Sequence, residues 1–167
     1  GTKLQFRPAS AASMDSNCTE IQFSGCYFFD APVGIAISPW GTGAEGGGFH
    51  VVSGCSFLGL VSAGIFVRNS GSCSISGISL ATCGLGVVFA WGGFHSLTGS
   101  TLVDCQGGPA VSMLGTVSCG SLGNTAVSSA GGLLMNGGGF HSIGSCSFNF
   151  NASGDIYAPS CAAAVMS

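Results

Sequence analysis

Charged side chains are scarce in this sequence. Its 167 residues include three Lys or Arg and six Asp or Glu, which makes 5% of the chain charged, against about 25% in an average soluble domain. A net charge of -3 with so few basic side chains excludes a protein that tracks nucleic-acid phosphates, because such proteins need a basic stripe. It also excludes a basic helix lying on a membrane surface.

Long apolar runs are also missing. Residues 105–154 contain no Asp, Glu, Lys or Arg, yet Gly, Ser, Asn or His interrupts every window of the roughly 20 apolar residues that a spanning helix needs. We therefore predict no membrane span. Because 30 glycines are scattered through the chain, helices of any kind are disfavoured.

Repeats of about 23 residues organise the chain. Gly-Gly-Phe-His occurs three times, ending at His50, His95 and His141, and the half-steps between these copies are filled by apolar columns. The four columns are Val52, Ile75, Leu97, Leu122 and Ile143; Phe57, Leu80, Leu102, Val127 and Phe148; Ile65, Val87, Val111, Leu133 and Ile156; and Val67, Phe89, Met113 and Met135. An earlier copy contains Phe23, Phe28, Ile35 and Ile37.

Within each repeat, apolar residues alternate with small polar ones, and this period of two indicates strands with one buried face. Stacked short strands at a fixed repeat predict an all-β fold, a parallel β-solenoid of about five to six coils. A β-sandwich has no reason to keep this spacing, and an outer-membrane barrel needs an apolar outward face. We expect an entry or cap segment over residues 1–20, the solenoid over 21–158 with an inserted turn at 38–47, and a tail over 159–167.

Two local patterns carry a family resemblance. A glycine precedes an aliphatic strand in Gly64-Ile65-Phe66-Val67 and Gly86-Val87-Val88-Phe89, and Ser-Gly-Cys-Ser-Phe or Thr-Gly-Ser-Thr-Leu occurs in the same coils. Together with the opening Gly-Thr-Lys-Leu-Gln-Phe-Arg-Pro, these segments resemble the right-handed parallel β-helix of the pectate-lyase-like superfamily, which includes viral and phage tail spikes. The resemblance implies the winding of the chain. It selects no activity, because the superfamily holds lyases, hydrolases, adhesins and inert shafts.

The nine cysteines show no C-x-x-C pair, so the usual zinc and redox spacings are absent. Several fall into the repeat: Cys26 lies one coil from Cys55, and Cys83 one coil from Cys105. Cysteine in such slots acts as a small hydrophobe. We expect reduced core thiols and assembly in a reducing cytoplasm.

The three histidines form a column with Cys73 and Ser118 at the intervening coils. His50, Cys73 and His95 are weak candidates for metal ligands, but parallel side chains about 4.8 Å apart do not converge on one ion. A structural turn motif is the favoured interpretation, and we expect no metal or cofactor. Whether Phe49 or His50 points inward stays open.

The carboxylates that catalysis on sugars would need are poorly spaced in this sequence. Hydrolysis of sugars needs two carboxylates about 5–9.5 Å apart, and the weak candidates Asp104 and Asp155 lie two coils apart and are displaced sideways. Asp30 shares the column of Asp104 three coils away. An active site would have to form between subunits or in a longer enzyme.

A possible ligand site lies at one edge. The inserted turn carries Trp40 and Glu45, and Arg68 and Trp91 follow on the next coils in almost the same register. Aromatic faces with a charged group between them suit stacking on sugar rings. Alternatively, both tryptophans pack against the inserted turn or against a neighbouring subunit.

The predicted outward columns carry no charge. They are Ser56, Ser79, Thr101, Ala126 and Ser147, and beside them Leu58, Ala81, Val103, Ser128 and Asn149. We predict a structural or attachment module of a viral or phage spike, fibre or capsid. It would be a homo-oligomer, with a trimer favoured, or part of a larger assembly on a virion or outside the cell, with a glycan as possible ligand. A polysaccharide-degrading enzyme is the alternative, and an ice-binding solenoid is a second one that lacks the usual Thr-x-Thr repeat.

Overall fold

The structure is a computed structural model, and it describes residues 12–14, 20–37, 46–123, 125–136, 140–149, 151, 153–159 and 163–166. These residues form strands, turns and bends and contain no helix, and so none that is long and apolar enough to cross a membrane. The strands are β1 (Ala12–Met14), β2 (Glu20–Ser24), β3 (Tyr27–Phe29), β4 (Val33–Ile37), β5 (Gly46–Ser53), β6 (Ser56–Leu58), β7 (Ala63–Ser76), β8 (Ser79–Cys83), β9 (Leu85–Thr98), β10 (Thr101–Cys105), β11 (Pro109–Gly123), β12 (Ala126–Ser128), β13 (Gly131–Asn136), β14 (Phe140–Gly144), β15 (Ser147–Phe148), β16 (Ile156–Tyr157) and β17 (Ala163–Met166).

All strand pairs are parallel, and each strand pairs with strands one coil away in sequence. One sheet has six strands in the order β15-β12-β10-β8-β6-β3, and the other has eleven. The predicted parallel β-solenoid is therefore confirmed. It has about four turns, slightly fewer than the five to six predicted, because the last coil adds only short strands such as the two-residue β15 and β16.

Each coil has three sides. The six-stranded sheet is the first, and we call it the short-strand side. The long strands β7, β9 and β11 run through a corner and contribute to the other two sides. Their C-terminal halves, with β2, β5, β14 and β17, form the histidine side, and their N-terminal halves, with β4, β13 and β16, form the third side. Left-handed backbone at Trp91 (φ 56°) and Gly115 (φ 71°) marks this corner.

The observed register reproduces all four predicted apolar columns. Val52, Ile75 and Leu97 are successive partners on the histidine side, and Phe57 is followed by Leu80 on the short-strand side. These residues are almost fully buried, and Phe28 of the earlier copy stacks on Phe57 with ring centroids 5.0 Å apart. Because burying one such side chain contributes about 1.5–3 kcal/mol, the repeated columns account for the stability of the stack.

The backbone conformation of the corner after the histidine side explains why several cysteines occur there. Where the residue after the strand is described, it has φ near 60°, as at Gly25, Gly54 and Gly99. The next side chain donates back to the carbonyl two residues earlier, as in Cys55 Sγ to Ser53 O (3.4 Å) and Ser100 Oγ to Thr98 O (2.9 Å). Cysteine, serine and threonine are therefore equivalent at this position as short donors that close the turn.

Residues at both ends of the chain join the stack. β1 pairs with β4, and β17 pairs with β14, so strands from the expected cap segment 1–20 and tail segment 159–167 continue the sheets. The inserted turn lies almost wholly outside the described residues. Ile37, just before it, pairs with Val67, and Gly46, near its end, pairs with Ser70, at the corner between the third side and the histidine side.

Candidate functional site

The Phe-His pairs place histidine inside and phenylalanine outside. His50 and His95 are 4% and 2% exposed, whereas Phe49 and Phe94 are 52% and 67% exposed. Since side chains alternate along a strand, a residue two positions before a core residue such as Val52 also faces the core. The inward member of each pair, which the sequence pattern leaves open, is therefore the histidine.

The register of the histidine column is partly as predicted. His50 pairs with Cys73, and Cys73 pairs with His95. The prediction that Ser118 follows in this column was wrong, because Gly120 is the partner of both His95 and His141. The cause is a shift in register between Leu114 and Val117, where β11 carries an irregularity.

The column is apolar in its surroundings. The ring of His95 stacks on Phe89 at 4.8 Å with an interplanar angle of 5°. Within the described residues, Nδ1 of His50 and both ring nitrogens of His95 lack a hydrogen bond of good geometry, although the backbone of Trp91 lies close enough to His95 to affect its pKa. Buried polar groups without partners are rare and costly, so the column favours neutral imidazoles.

Burial sets the ionisation of these groups. It lowers the pKa of His95 to about 4 and also lowers the pKa of His50, because a charged ring would lose its hydration. Burial raises the pKa of the Cys73 thiol to about 12. His50, Cys73 and His95 are register neighbours, yet no group of three or more His, Cys, Asp or Glu side chains in the described part of the chain is arranged to hold a metal ion.

Six of the cysteines are free thiols; they are Cys26, Cys55, Cys73, Cys83, Cys105 and Cys146. Cys83 and Cys105 are direct register partners, as the repeat predicted. Burial raises the pKa of Cys105 to about 11 and raises that of Cys83 as well. A thiol that stays protonated is a poor nucleophile and metal ligand, which fits a packing role.

The two carboxylate candidates occupy separate places. Asp104 has φ 58° at the corner before the third side and accepts a hydrogen bond from Gln106 Nε2 at 2.8 Å. Asp155 precedes β16, is exposed, and accepts from Asn151 Nδ2 at 2.7 Å. An open groove of about 440 Å³ lies beside Gln106, and a separate one of about 250 Å³ is lined by Gly154. Neither groove is lined by both carboxylates.

Arg68 and Trp91 meet as the sequence predicted. The guanidinium carbon lies 5.1 Å from the centre of the indole ring, a cation–π contact. Trp91 is 43% exposed and has φ 56°, a strained conformation for a bulky residue. On the next coil the indole lies against Gly115, where any Cβ would collide with it. Trp40 and Glu45 lie outside the described residues.

We use the name aromatic patch for four exposed residues of neighbouring coils, Phe49, Phe94, Trp91 and Arg68. Phe49 and Phe94 flank Ser72, which is the register partner of both. Arg68 and Trp91 were predicted from the sequence as surface residues, whereas Phe49 and Phe94 were not. The signal was present, because each phenylalanine lies three positions before a core residue and therefore faces outward.

Comparison with known proteins adds no relative. No protein-family model matches the chain, and neither a curated protein nor a solved structure matches it significantly. The chain is thus placed by its architecture, an all-β parallel solenoid.

Proposed function

We propose that the protein is a structural module that associates with copies of itself. The observation that carries the proposal is the make-up of its surface, where exposed hydrophobic residues outnumber charged ones in the described part of the chain. The exposed large hydrophobic residues are Phe49, Leu58, Val61, Trp91, Phe94, Val103, Ile156, Tyr157 and Met166. The charged residues of the same part are Glu20, Asp30, Arg68, Asp104 and Asp155.

Such a surface suits contact with other copies. Soluble proteins usually protect sheet edges and apolar patches with charged side chains. The described surface of this solenoid carries few of them. Copies packed side by side would cover the exposed columns and leave few charges to desolvate. By its resemblance to β-helical tail spikes, we further propose a place in a viral or phage spike, fibre or capsid, with a trimer as the favoured state. Assembly would take place in a reducing cytoplasm, before the protein reaches the virion or the extracellular space.

The proposal predicts a multimer in solution. Sedimentation velocity across loading concentrations from about 1 to 100 µM should give a mass that is an integer multiple of the 16.4 kDa chain, and three times that mass if the trimer is right. A species of 16.4 kDa at every concentration would contradict the proposal.

A second candidate function is glycan binding at the aromatic patch. It is favoured by the pairing of Arg68 with a half-exposed Trp91, because indoles stack on sugar rings and guanidinium groups donate to hydroxyls. The guanidinium lies over the indole ring, so a sugar would have to share or replace that contact. The polysaccharide-degrading alternative gains no such support from Asp104 and Asp155.

Glycan binding predicts a change in tryptophan fluorescence when neutral or acidic oligosaccharides are added. The change should disappear in Trp91→Ala and persist in Tyr157→Ala, a matched control because Tyr157 is an exposed aromatic residue on β16 (66% exposed). Unchanged wild-type fluorescence across a broad oligosaccharide panel would remove this candidate.

A further inference from the structure

One outward column on the histidine side alternates between large and small residues. Phe49 is followed by Ser72 and then by Phe94 along the register. Phe49 and Phe94 are both more than half exposed. The column thus presents a bulky side chain, a notch at Ser72, and a second bulky side chain.

The spacing of the column fits one inserted ring. Neighbouring coils of a parallel stack lie about 4.8 Å apart, so Phe49 and Phe94 are separated by about 9.6 Å. A ring placed midway, over Ser72, would have its centroid about 4.8 Å from each of them, within the range of about 4.5–7 Å that aromatic pairs prefer. A phenylalanine on another molecule has the required size.

We infer that this column is an interface for a second copy of the chain, in which Phe94 of each copy inserts over Ser72 of the other. A two-fold axis perpendicular to the solenoid exchanges neighbouring coils, so it brings Phe94 opposite Ser72 twice and makes the contact self-complementary. The inference rests on the proposed self-association and names its surface and its geometry.

The surroundings of the column suit a copy rather than a charged partner. The adjacent outward positions include Val51, Ser74 and Ser96, and the two serine hydroxyls bond to each other across the coils at 3.3 Å. Among the described residues of this outward column, the one charge is Glu20, which pairs with Phe49 at the start of the stack. In the two-fold arrangement the two Glu20 carboxylates lie toward opposite ends of the interface and do not repel each other at close range.

The two-fold contact pairs copies and therefore predicts an even number of chains. This differs from the trimer that the proposed function favours. A mass of three chains in the sedimentation experiment would overturn the inference and would leave the proposed self-association intact.

Three variants test the contact by their self-association constants in sedimentation velocity. Phe94→Ser should weaken association by at least about 30-fold, as the loss of a central aromatic contact does. Leu58→Ser is the matched control, since Leu58 is also exposed (43%) but lies on the short-strand side, outside the two-fold contact, and it should weaken association far less than Phe94→Ser does. Thermal unfolding of each variant verifies that the fold is retained.

Ser72→Phe distinguishes a specific contact over Ser72 from non-specific association through exposed apolar surface. It fills the space that Phe94 of the partner would occupy, so it should weaken association by a similar factor although it adds apolar surface. If association strengthens in Ser72→Phe, or is unchanged in Phe94→Ser, the inference is overturned while self-association through another face still stands. A wild-type monomer would instead overturn the proposed function itself.

Discussion

Acidification from about pH 7 to about pH 4 is expected to destabilise the fold by about 3 kcal/mol through His95 alone. The pKa of His95 is about 4 in the folded protein, against 6.5 for an unperturbed histidine. The folded state therefore binds the proton less readily than the unfolded state does. The stability is fully present above about pH 6.5 and is lost as the pH falls through the folded pKa. His50, whose pKa is also lowered by burial, adds to the same trend.

The measurement is the free energy of unfolding from urea titrations at pH steps between about 7 and 4. The control variant His95→Leu removes one proton-binding site from the buried column. Its free energy of unfolding should therefore change less with pH across this window than that of the wild type. A wild-type free energy of unfolding that stays constant down to about pH 4.5 would show that the histidines are hydrated and not buried.

Gly86→Ala is expected to destabilise the fold by more than about 3 kcal/mol or to prevent folding. A Cβ at Gly86 would collide with the carbonyl oxygen of Ala110 on the next coil and would come close to the Leu102 side chain. The obstacle is backbone of a neighbouring coil, which cannot rotate away. Urea midpoints of the variant and the wild type measure the effect.

Gly123→Ala is the matched control for this substitution. Gly123 also lies in a strand of the stack, and a Cβ there would meet the Thr98 methyl group at 3.7 Å, an ordinary contact. We expect a change within about 1 kcal/mol. An equal loss of stability in Gly86→Ala and Gly123→Ala would mean that the coils do not pack as closely at Gly86 as described.

Much of the fold was predictable because the sequence repeats one physical requirement. Each coil must bury its inner face against its neighbours, so Ile65, Val87 and Val111 recur at nearly constant spacing, and the structure pairs them as predicted. The number of turns was less predictable, since it depends on how many residues the end coils contribute. The prediction that Ser118 belongs to the histidine column was wrong because even spacing does not reveal a local irregularity such as the one between Leu114 and Val117.

The candidate site was predictable in part. Arg68 and Trp91 were placed together by register alone, and the structure brings them within 5.1 Å. The outward direction of Phe49 and Phe94 followed from their distance to core residues but was left open. The turn-closing hydrogen bonds of Cys55 and its equivalents were not foreseen, because the conformation of a corner depends on left-handed backbone that a spacing pattern does not reveal.

The central claim is that other copies of the chain cover the uncharged surface, and the molar mass by light scattering in low and in high salt tests it most directly. At about 1 M salt, charge attraction is screened within about 3 Å, whereas apolar contacts persist. We predict a multiple of 16.4 kDa at both salt concentrations. A mass of one chain in high salt would contradict the claim.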